Sequence, residues 1–330
     1  MTIGIKDVAK AAGVSPATVS RVLGNGPVSS DLREKVEAAI RSTGYRPNLS
    51  ARRLRSQHSR TIGLVVSDIR NPFFTALSRA VEDAAYQAEM RVILCNTDEN
   101  PAREAMYLRL MQEERITGLI YAPTRTTAER LERMSFDFPV VLVDRAGPPG
   151  AHDSVVIDNQ EAARRLVAHL VAEGHGRIGG LFGKTSSTAL ERHQGYVAAM
   201  TERGLTPEAR FVAPNAEAAA EEVGRWLGEA DHPRAFLTSN GLLLLGVVKA
   251  ARARGLAIPG DIAMAGFDND IWTELVGPGL TVIEQPVAEI GRTAMQLLFE
   301  RLDHPDMAPR KVVLSGRLIE RGSVGARRVA

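Results

Sequence analysis

Two sets of side chains in this 330-residue chain have types and spacing suited to chemistry. The first is the stretch Ser15, Pro16, Ala17, Thr18 to Arg21, where hydroxyls and a guanidinium share one short segment. Such groups donate to phosphate oxygens and to base edges. The second set follows a series of short apolar runs: Asp68 to Phe74, Asn96 to Glu99, Pro123-Thr124, Asp144-Arg145, Asp158-Asn159, Lys184 to Arg192, Ser239-Asn240 and Asp268 to Trp272. Carboxylates, amides and guanidiniums beside Phe73, Phe74 and Trp272 suit a polyhydroxylated small molecule, with planar donors for its oxygens and aromatic faces for its C–H surfaces. Plainer readings stand beside this one. Asp68 and Asp158 also fit helix caps, and Phe73 also fits a core.

Other chemistries find no anchor. Gly174, Gly176 and Gly179 have the G-x-G-x-x-G spacing, but they follow a helix and run into a strand. A dinucleotide site needs the opposite order. The seven histidines show no H-E-x-x-H or Cys/His ligand spacing, and no G-x-S-x-G elbow occurs. The one cysteine, Cys95, excludes an internal disulfide and fits a reducing compartment. No enzyme class and no cofactor is indicated. The first basic residues precede no apolar run, and no apolar stretch reaches the roughly 18–20 residues of a membrane helix. The expected location is the cytoplasm.

The formal charge of +2 conceals an asymmetry. Residues 1–60 carry eleven basic side chains and four acidic ones, a net +7, whereas the other 270 carry 30 and 35, a net −5. A basic head on a mildly acidic body is the footprint of a polyanion-binding module attached to something else.

Several elements must position these residues. Ile5, Val8, Ala9 and Ala12 have helical spacing and end at Gly13. Ser15-Pro16 restarts a helix as N-cap and first-turn proline, with Val19, Val22 and Leu23 turned inward. A third helix follows Ser29-Ser30-Asp31, with Leu32, Val36, Ala39 and Ile40 inside, and closes at Gly44, where Tyr45 packs back. Two short helices around a tight turn suggest a helix-turn-helix; a generic three-helix bundle is the alternative. After Pro47, Asn48 caps a short segment with three arginines, among them Arg52, and with Leu54 as its apolar residue. Too short to be stable alone, it is either a helix that orders on DNA, Leu54 wedging a minor-groove step, or a basic linker.

Beyond Thr61, strand patterns at 62–66, 92–95, 118–121, 140–143, 155–157, 178–182, 235–237, 262–267 and 281–283 alternate with helical ones at 74–89, 103–115, 160–173, 190–203 and 242–254. This α/β alternation predicts two parallel sheets covered by helices, with ligands beyond the carboxyl ends of the strands.

The run IKDVAKAAGVSPATVSRVLGNGPVSSDLREKVEAAIRSTGYRPNLSARRLRSQHSRTIGLVV closely resembles the head and hinge of the lactose-repressor/galactose-repressor family of bacterial transcription regulators. The remainder resembles that family's effector domain, similar in fold to periplasmic sugar-binding proteins. The resemblance implies a head at 1–47, a hinge at 48–60 and a two-lobed body at 61–330. The first lobe is expected from about 61–159 and 287–317, the second from about 160–286 and 318–330. It also implies DNA contacts from Lys6, Ser15, Pro16, Ala17, Thr18, Ser20, Arg21, Asn48, Arg52 and Leu54. Implied effector contacts are Phe73, Phe74, Asp98, Arg145, Lys184, Arg192, Asn240, Asp268 and Trp272. Arg145, Arg192 and Asp268 match family positions that commonly touch ligand.

One departure bears on the ligand. The family usually has Asn-Asp where this chain has Asn240-Gly241, which removes a carboxylate, while Lys184 adds a cation. The stretch FDNDIWTELVGPGLTVIEQPVAEIGRTAMQLLFERL looks like repressors of gluconate or ketogluconate catabolism. The expectation is a repressor that binds a pseudo-palindromic operator as a homodimer, or as a dimer of dimers, and answers to a sugar acid. A neutral sugar, a corepressor role, a sugar-binding receptor and a sugar-metabolising enzyme are the alternatives.

Overall fold

The computed structural model describes residues 3–23, 26–45 and 59–325. The chain divides into two compact units, Met1–Ser59 and Arg60–Ala330.

The head consists of α1 (Ile5–Ala12), α2 (Pro16–Leu23) and α3 (Ser30–Thr43). Val8, Ala9, Val19, Val22, Val36 and Ala39 form its core, with Ile5, Ala12, Leu23, Ile40 and Tyr45 packed around them. Leu32 is half-buried and stands outside that cluster. Gly13 ends α1 with φ +65°, a conformation in which a Cβ would be strained. The Ser29 hydroxyl accepts from the Leu32 amide at the start of α3.

The body holds two six-stranded sheets. Its strands are β1 (Thr61–Val66), β2 (Arg91–Asn96), β3 (Gly118–Tyr121), β4 (Val140–Val143), β5 (Asp153–Ile157) and β6 (Ile178–Gly183). Then come β7 (Glu208–Val212), β8 (Ala235–Thr238), β9 (Ala263–Phe267), β10 (Thr281–Glu284), β11 (Lys311–Leu314) and β12 (Arg317–Ile319). The helices are α4 (Pro72–Gln87), α5 (Pro101–Glu113), α6 (Arg125–Ala128), α7 (Asn159–Ala172), α8 (Ser187–Glu202), α9 (Ala216–Trp226), α10 (Gly241–Ala253), α11 (Ile271–Leu275) and α12 (Val287–Asp303). The first sheet runs β11-β5-β4-β3-β1-β2 and is wholly parallel; the second runs β12-β10-β9-β8-β6-β7, with β12 alone antiparallel. The chain crosses between the lobes three times, after β5, after β10 and between β11 and β12.

Burial explains the layering. Central strands such as β1 and β6 are buried along their whole length, as parallel strands covered on both faces must be. β7, β11 and β12, absent from the strand expectation, are three of the four sheet edges. Their exposed and charged residues break the apolar run that marks a central strand. Helices α4 and α5 begin two residues before the predicted starts. Asn71 and Asn100 cap them through their side chains, and Pro72 and Pro101 occupy the first turn. Helices α7 and α8 pack closely at Gly195, where a Cβ would stand 2.2 Å from the Gln160 carbonyl oxygen. No helix among the described residues is long and apolar enough to cross a membrane.

Candidate functional site

The polar residues collect on two surfaces. In the head, α2 leaves Ser15, Pro16, Ala17 and Arg21 exposed and Thr18 and Ser20 half-buried, and Lys6 on α1 is exposed as well. The Ser15 hydroxyl accepts from the Thr18 amide at 3.1 Å and lies 3.0 Å from the Thr18 hydroxyl. Val19 and Val22 anchor the opposite side of the helix in the core. An apolar back with a polar, cationic front is the form in which a short helix enters a major groove. Asn48, Arg52 and Leu54 lie outside the described residues.

In the body, carboxyl ends of strands from both sheets meet at a cleft. Asp68, Asn71, Phe73, Phe74, Glu99, Asp144 and Arg145 line it from the first lobe. Ser186, Thr188, Arg192, Pro214, Ser239, Asn240, Leu242 and Asp268 line it from the second, and Gln285 from a crossover. The enclosed space is about 40 Å³, whereas small-molecule sites run to several hundred. The walls must part to admit a sugar. An adjoining hollow of about 430 Å³ shares Phe73, Asp268 and Gln285 and adds Pro72, Ala76, Asp270 and Glu284 among its walls.

The two arginines of the cleft are equally buried, each 3% exposed, and differ in their partners. Arg145 donates through Nη1 to Glu99 Oε2 at 3.0 Å and to the Pro123 carbonyl at 2.8 Å. Its Nη2 donates to Glu99 Oε1 and its Nε to Asp144 Oδ2 at 3.3 Å. Burial opposes the Arg145 charge, but the carboxylates of Glu99 and Asp144 outweigh it and hold the pKa above the ordinary value. Arg192 donates through Nε to Asn159 Oδ1 at 2.8 Å and through Nη1 to the Ser239 carbonyl at 2.5 Å. Its Nη2 is buried without a partner, and its guanidinium lies 3.9 Å over the Phe267 ring. Burial pulls the Arg192 pKa down against the attraction of Asp268 and Asp144. No carboxylate among the described residues forms an ion pair with it.

The acids are better satisfied. Asp68 accepts from Arg70 at 2.9 and 3.0 Å. Asp268 accepts from the Gly241 amide at 2.9 Å and from Gln285 Nε2 at 2.6 Å. Asn240 spends its Oδ1 on the Leu243 amide as the cap of α10. Burial pushes the Asp144 carboxyl upward. Asp98, Glu99, Asp144 and Asp268 have φ of +57°, +56°, +65° and +76°, where a non-glycine residue loses about 1–2 kcal/mol. Such strain clusters at functional sites.

Three expected effector residues stand outside the cleft lining. Asp98 faces the outer side of its turn, bonded to Arg70 at 2.6 Å and Arg103 at 3.3 Å, because the left-handed turn sends Glu99 inward instead. Lys184 follows β6 directly and is exposed. Trp272 packs against the core of the second lobe, its Nε1 donating to Asp270 at 3.3 Å. The remaining six, Phe73, Phe74, Arg145, Arg192, Asn240 and Asp268, come together. Glu99, Ser186, Thr188 and Gln285 were not singled out from the sequence. The first three sit in the strand-end clusters named above, and Gln285 directly follows β10, a strand expected at 281–283 whose end was not among those clusters. At Gly241 a Cβ would stand 3.0 Å from Asp270 Oδ2, so Asp270 fills the volume a side chain would take there.

The signature of the bacterial regulatory proteins of the lacI family matches residues 4–48, and that of a periplasmic binding protein-like domain matches residues 167–324. The transcriptional regulator DegA of Bacillus subtilis is 32% identical over 98% of both chains. Catabolite control protein A of Priestia megaterium is 34% identical over 96% of this chain and 98% of its own. The chain belongs to the lacI family. In three dimensions it matches the Lac repressor dimer bound to operator and the anti-inducer ONPF, with a TM-score of 0.87, 27% identity, and 99% and 100% of the two chains covered. This lacI-family member is accordingly a ligand-responsive DNA-binding repressor whose partners are operator DNA and a small-molecule effector, and it is not an enzyme. In family terms the head supplies the helix-turn-helix and the two sheets form the effector-binding body.

Proposed function

We propose that this repressor binds a pseudo-palindromic operator as a homodimer and leaves it when a sugar acid of the gluconate or 2-ketogluconate type enters the interlobe cleft. Arg192 carries the proposal. A buried guanidinium with one nitrogen unpartnered and no ion-pairing carboxylate among the described residues calls for an anion from outside the chain. The ligand carboxylate supplies it, while Glu99, Asp144 and Asp268 accept from hydroxyls. Phe73 and Phe74 face the sugar C–H surface, and Asn240 offers its amide nitrogen. The head at 1–47 reads bases through Thr18 and Arg21, supported by Lys6, Ser15, Pro16, Ala17 and Ser20. The hinge at 48–60 contributes Asn48, Arg52 and a Leu54 wedge. Closure of the lobes around the ligand changes the spacing of two hinges and so releases DNA, a two-state switch biased by differential affinity.

A dimer suits the symmetry of such operators and accords with the dimeric Lac repressor. Ile271 and Leu275 on α11, 83% and 78% exposed, offer apolar surface for a second copy. A neutral sugar is the second reading. It is favoured by the four carboxylates of the lining, Asp68, Glu99, Asp144 and Asp268, against two guanidiniums.

Calorimetric titration with gluconate, 2-ketogluconate and neutral hexoses, each paired with an operator-release assay, decides between them. Binding of the acids alone supports the proposal, and binding of neutral sugars alone removes it.

A further inference from the structure

Glu104 is fully buried on α5 and has no cation beside it among the described residues. A buried carboxylate of that kind is expensive unless donors surround it. Four do. Its Oε1 accepts from the Tyr121 hydroxyl and, at 2.7 Å, from the Thr124 amide; its Oε2 accepts from the Thr124 hydroxyl at 2.6 Å and from the Thr127 hydroxyl. These donors belong to the end of β3, to the turn that follows it and to α6. That same turn carries Pro123, whose carbonyl accepts from Arg145 Nη1 at 2.8 Å. The other partner of that nitrogen is Glu99, which lies five residues before Glu104 and enters α5 through the Asn100 cap.

We infer that Glu104 is a positioning residue for Arg145. The start of α5 grips the guanidinium from two directions. Glu99 does so directly, and Glu104 does so by fixing the turn that presents the Pro123 carbonyl. A planar guanidinium with donors in a fixed fork needs its acceptors fixed in the same plane, and two acceptors set from one helix meet that need. Neither Glu104 nor Tyr121, Thr124 or Thr127 lines the cleft, so the route from Glu104 to ligand is the Pro123 carbonyl and Arg145. The inference rests on the proposed cleft only in taking Arg145, together with the Glu99 carboxylate it holds, as part of the wall that meets ligand.

The test uses the full chain and two readouts. In ¹⁵N–¹H spectra, the Arg145 Nε–H resonance, assigned by its loss in Arg145→Lys, is expected to shift and to exchange with solvent at least tenfold faster in Glu104→Gln. Arg192 Nε–H should stay unchanged. Thr127→Val, which removes a single donor from a half-buried position, should show the same change in smaller degree and stands in if Glu104→Gln does not fold. Gluconate affinity should fall about tenfold in Glu104→Gln and less in Thr127→Val, and neither substitution should lower it further in a chain that already carries Arg145→Gln. A lowered melting temperature with the Arg145 resonance unmoved, or losses that simply add in the double variant, would make Glu104 a structural residue and overturn the inference. If gluconate fails to bind the wild-type chain, the sugar-acid reading falls, and the Arg145 resonance still judges Glu104 by itself.

Discussion

Arg145 and Glu99 form a closed ion pair inside the effector cleft, two parallel N–H···O bonds between side chains that are both largely out of water. The pair occupies the fork that a ligand carboxylate would otherwise take, so the two cleft arginines are not equivalent. Replacing Glu99 with Gln leaves Arg145 one neutral amide acceptor in place of the carboxylate, beside its bonds to Asp144 and Pro123. Breaking one side of a buried pair costs about 3 kcal/mol. Glu99→Gln should therefore lower stability in urea titrations by that order, yet raise the affinity of the cleft for small anions. An unchanged urea midpoint would show that the pair contributes little.

Arg192→Gln tests the other guanidinium. The amide keeps a donor toward Asn159, where Nε stood, but supplies no charge to an incoming anion. Sugar-acid affinity is expected to drop at least a hundredfold, on the order of the 3 kcal/mol that a charge-assisted bond supplies in a dry site. Operator affinity without ligand should stay within twofold. Parallel calorimetry and DNA-binding titrations check both halves.

Asp270 makes stability depend on pH. Burial, and after it the neighbouring Asp268, raise its carboxyl from 3.8 to about 6. Between those values the folded chain keeps a proton that the unfolded chain gives up, so stability falls as pH rises through this window and stays lowered above it. Asp270→Asn removes the penalty. The variant is expected to be more stable than the parent by about 1–2 kcal/mol at neutral pH, after allowance for solvent screening. At about pH 4 the gain should vanish. Urea midpoints at the two pH values give the comparison, and a gain that is the same at both would remove the carboxyl from the explanation.

Gly195→Ala probes the seat of Arg192. A methyl group at this position meets the Gln160 backbone at 2.2 Å, so α8 must move away from α7. Overpacking of this kind costs roughly 1–3 kcal/mol. Because α8 also carries Arg192, ligand affinity should fall together with the melting temperature. Loss of stability with unaltered ligand affinity would show that α8 shifts without disturbing its arginine.

Ser15→Ala removes the cap on α2. The lost bond to the Thr18 amide is expected to lower head stability by about 1 kcal/mol, read from thermal melts of the full chain by circular dichroism. DNA affinity should fall in both parent and variant by roughly a thousandfold between 50 and 200 mM salt, as six or so phosphate contacts require. A flat salt dependence would contradict the assignment of the +7 head to a polyanion.

Most of this architecture could be read from the residues, for identifiable reasons. Central strands announce themselves because both faces are covered, and β1, β3, β4 and β6 are buried throughout and almost wholly apolar or glycine. The edge strands β7, β11 and β12 mix charge with apolar residues, and pairing on one side alone holds them in a sheet. In the cleft, the strand-end rule identified the right loops but not the direction in which each side chain points. Asp98 and Glu99 are adjacent acids in one loop, and only the backbone, left-handed at both, decides which of them meets Arg145. Lys184, just after β6, and Trp272, in α11, belong to strand-end segments that reach the cleft and yet turn to solvent and to core. Gln285 bonds Asp268 because the two sit beyond the carboxyl ends of β10 and β9, parallel neighbours in the second sheet, an adjacency of strands that residue patterns do not give.

The three crossings between the lobes also constrain how such a protein can diversify. Each lobe is assembled from separated stretches of chain, so no single exchange of a gene segment transfers a complete lobe, and a hybrid cleft would pair walls that were never selected together. The helix-turn-helix residues, by contrast, are one uninterrupted stretch at the start of the chain. One recombination event near residue 60 exchanges the DNA address and leaves the ligand response whole. Shuffling can thus rewire which genes are controlled, whereas a new effector must be reached by point substitutions around residues such as Arg192 and Gly241.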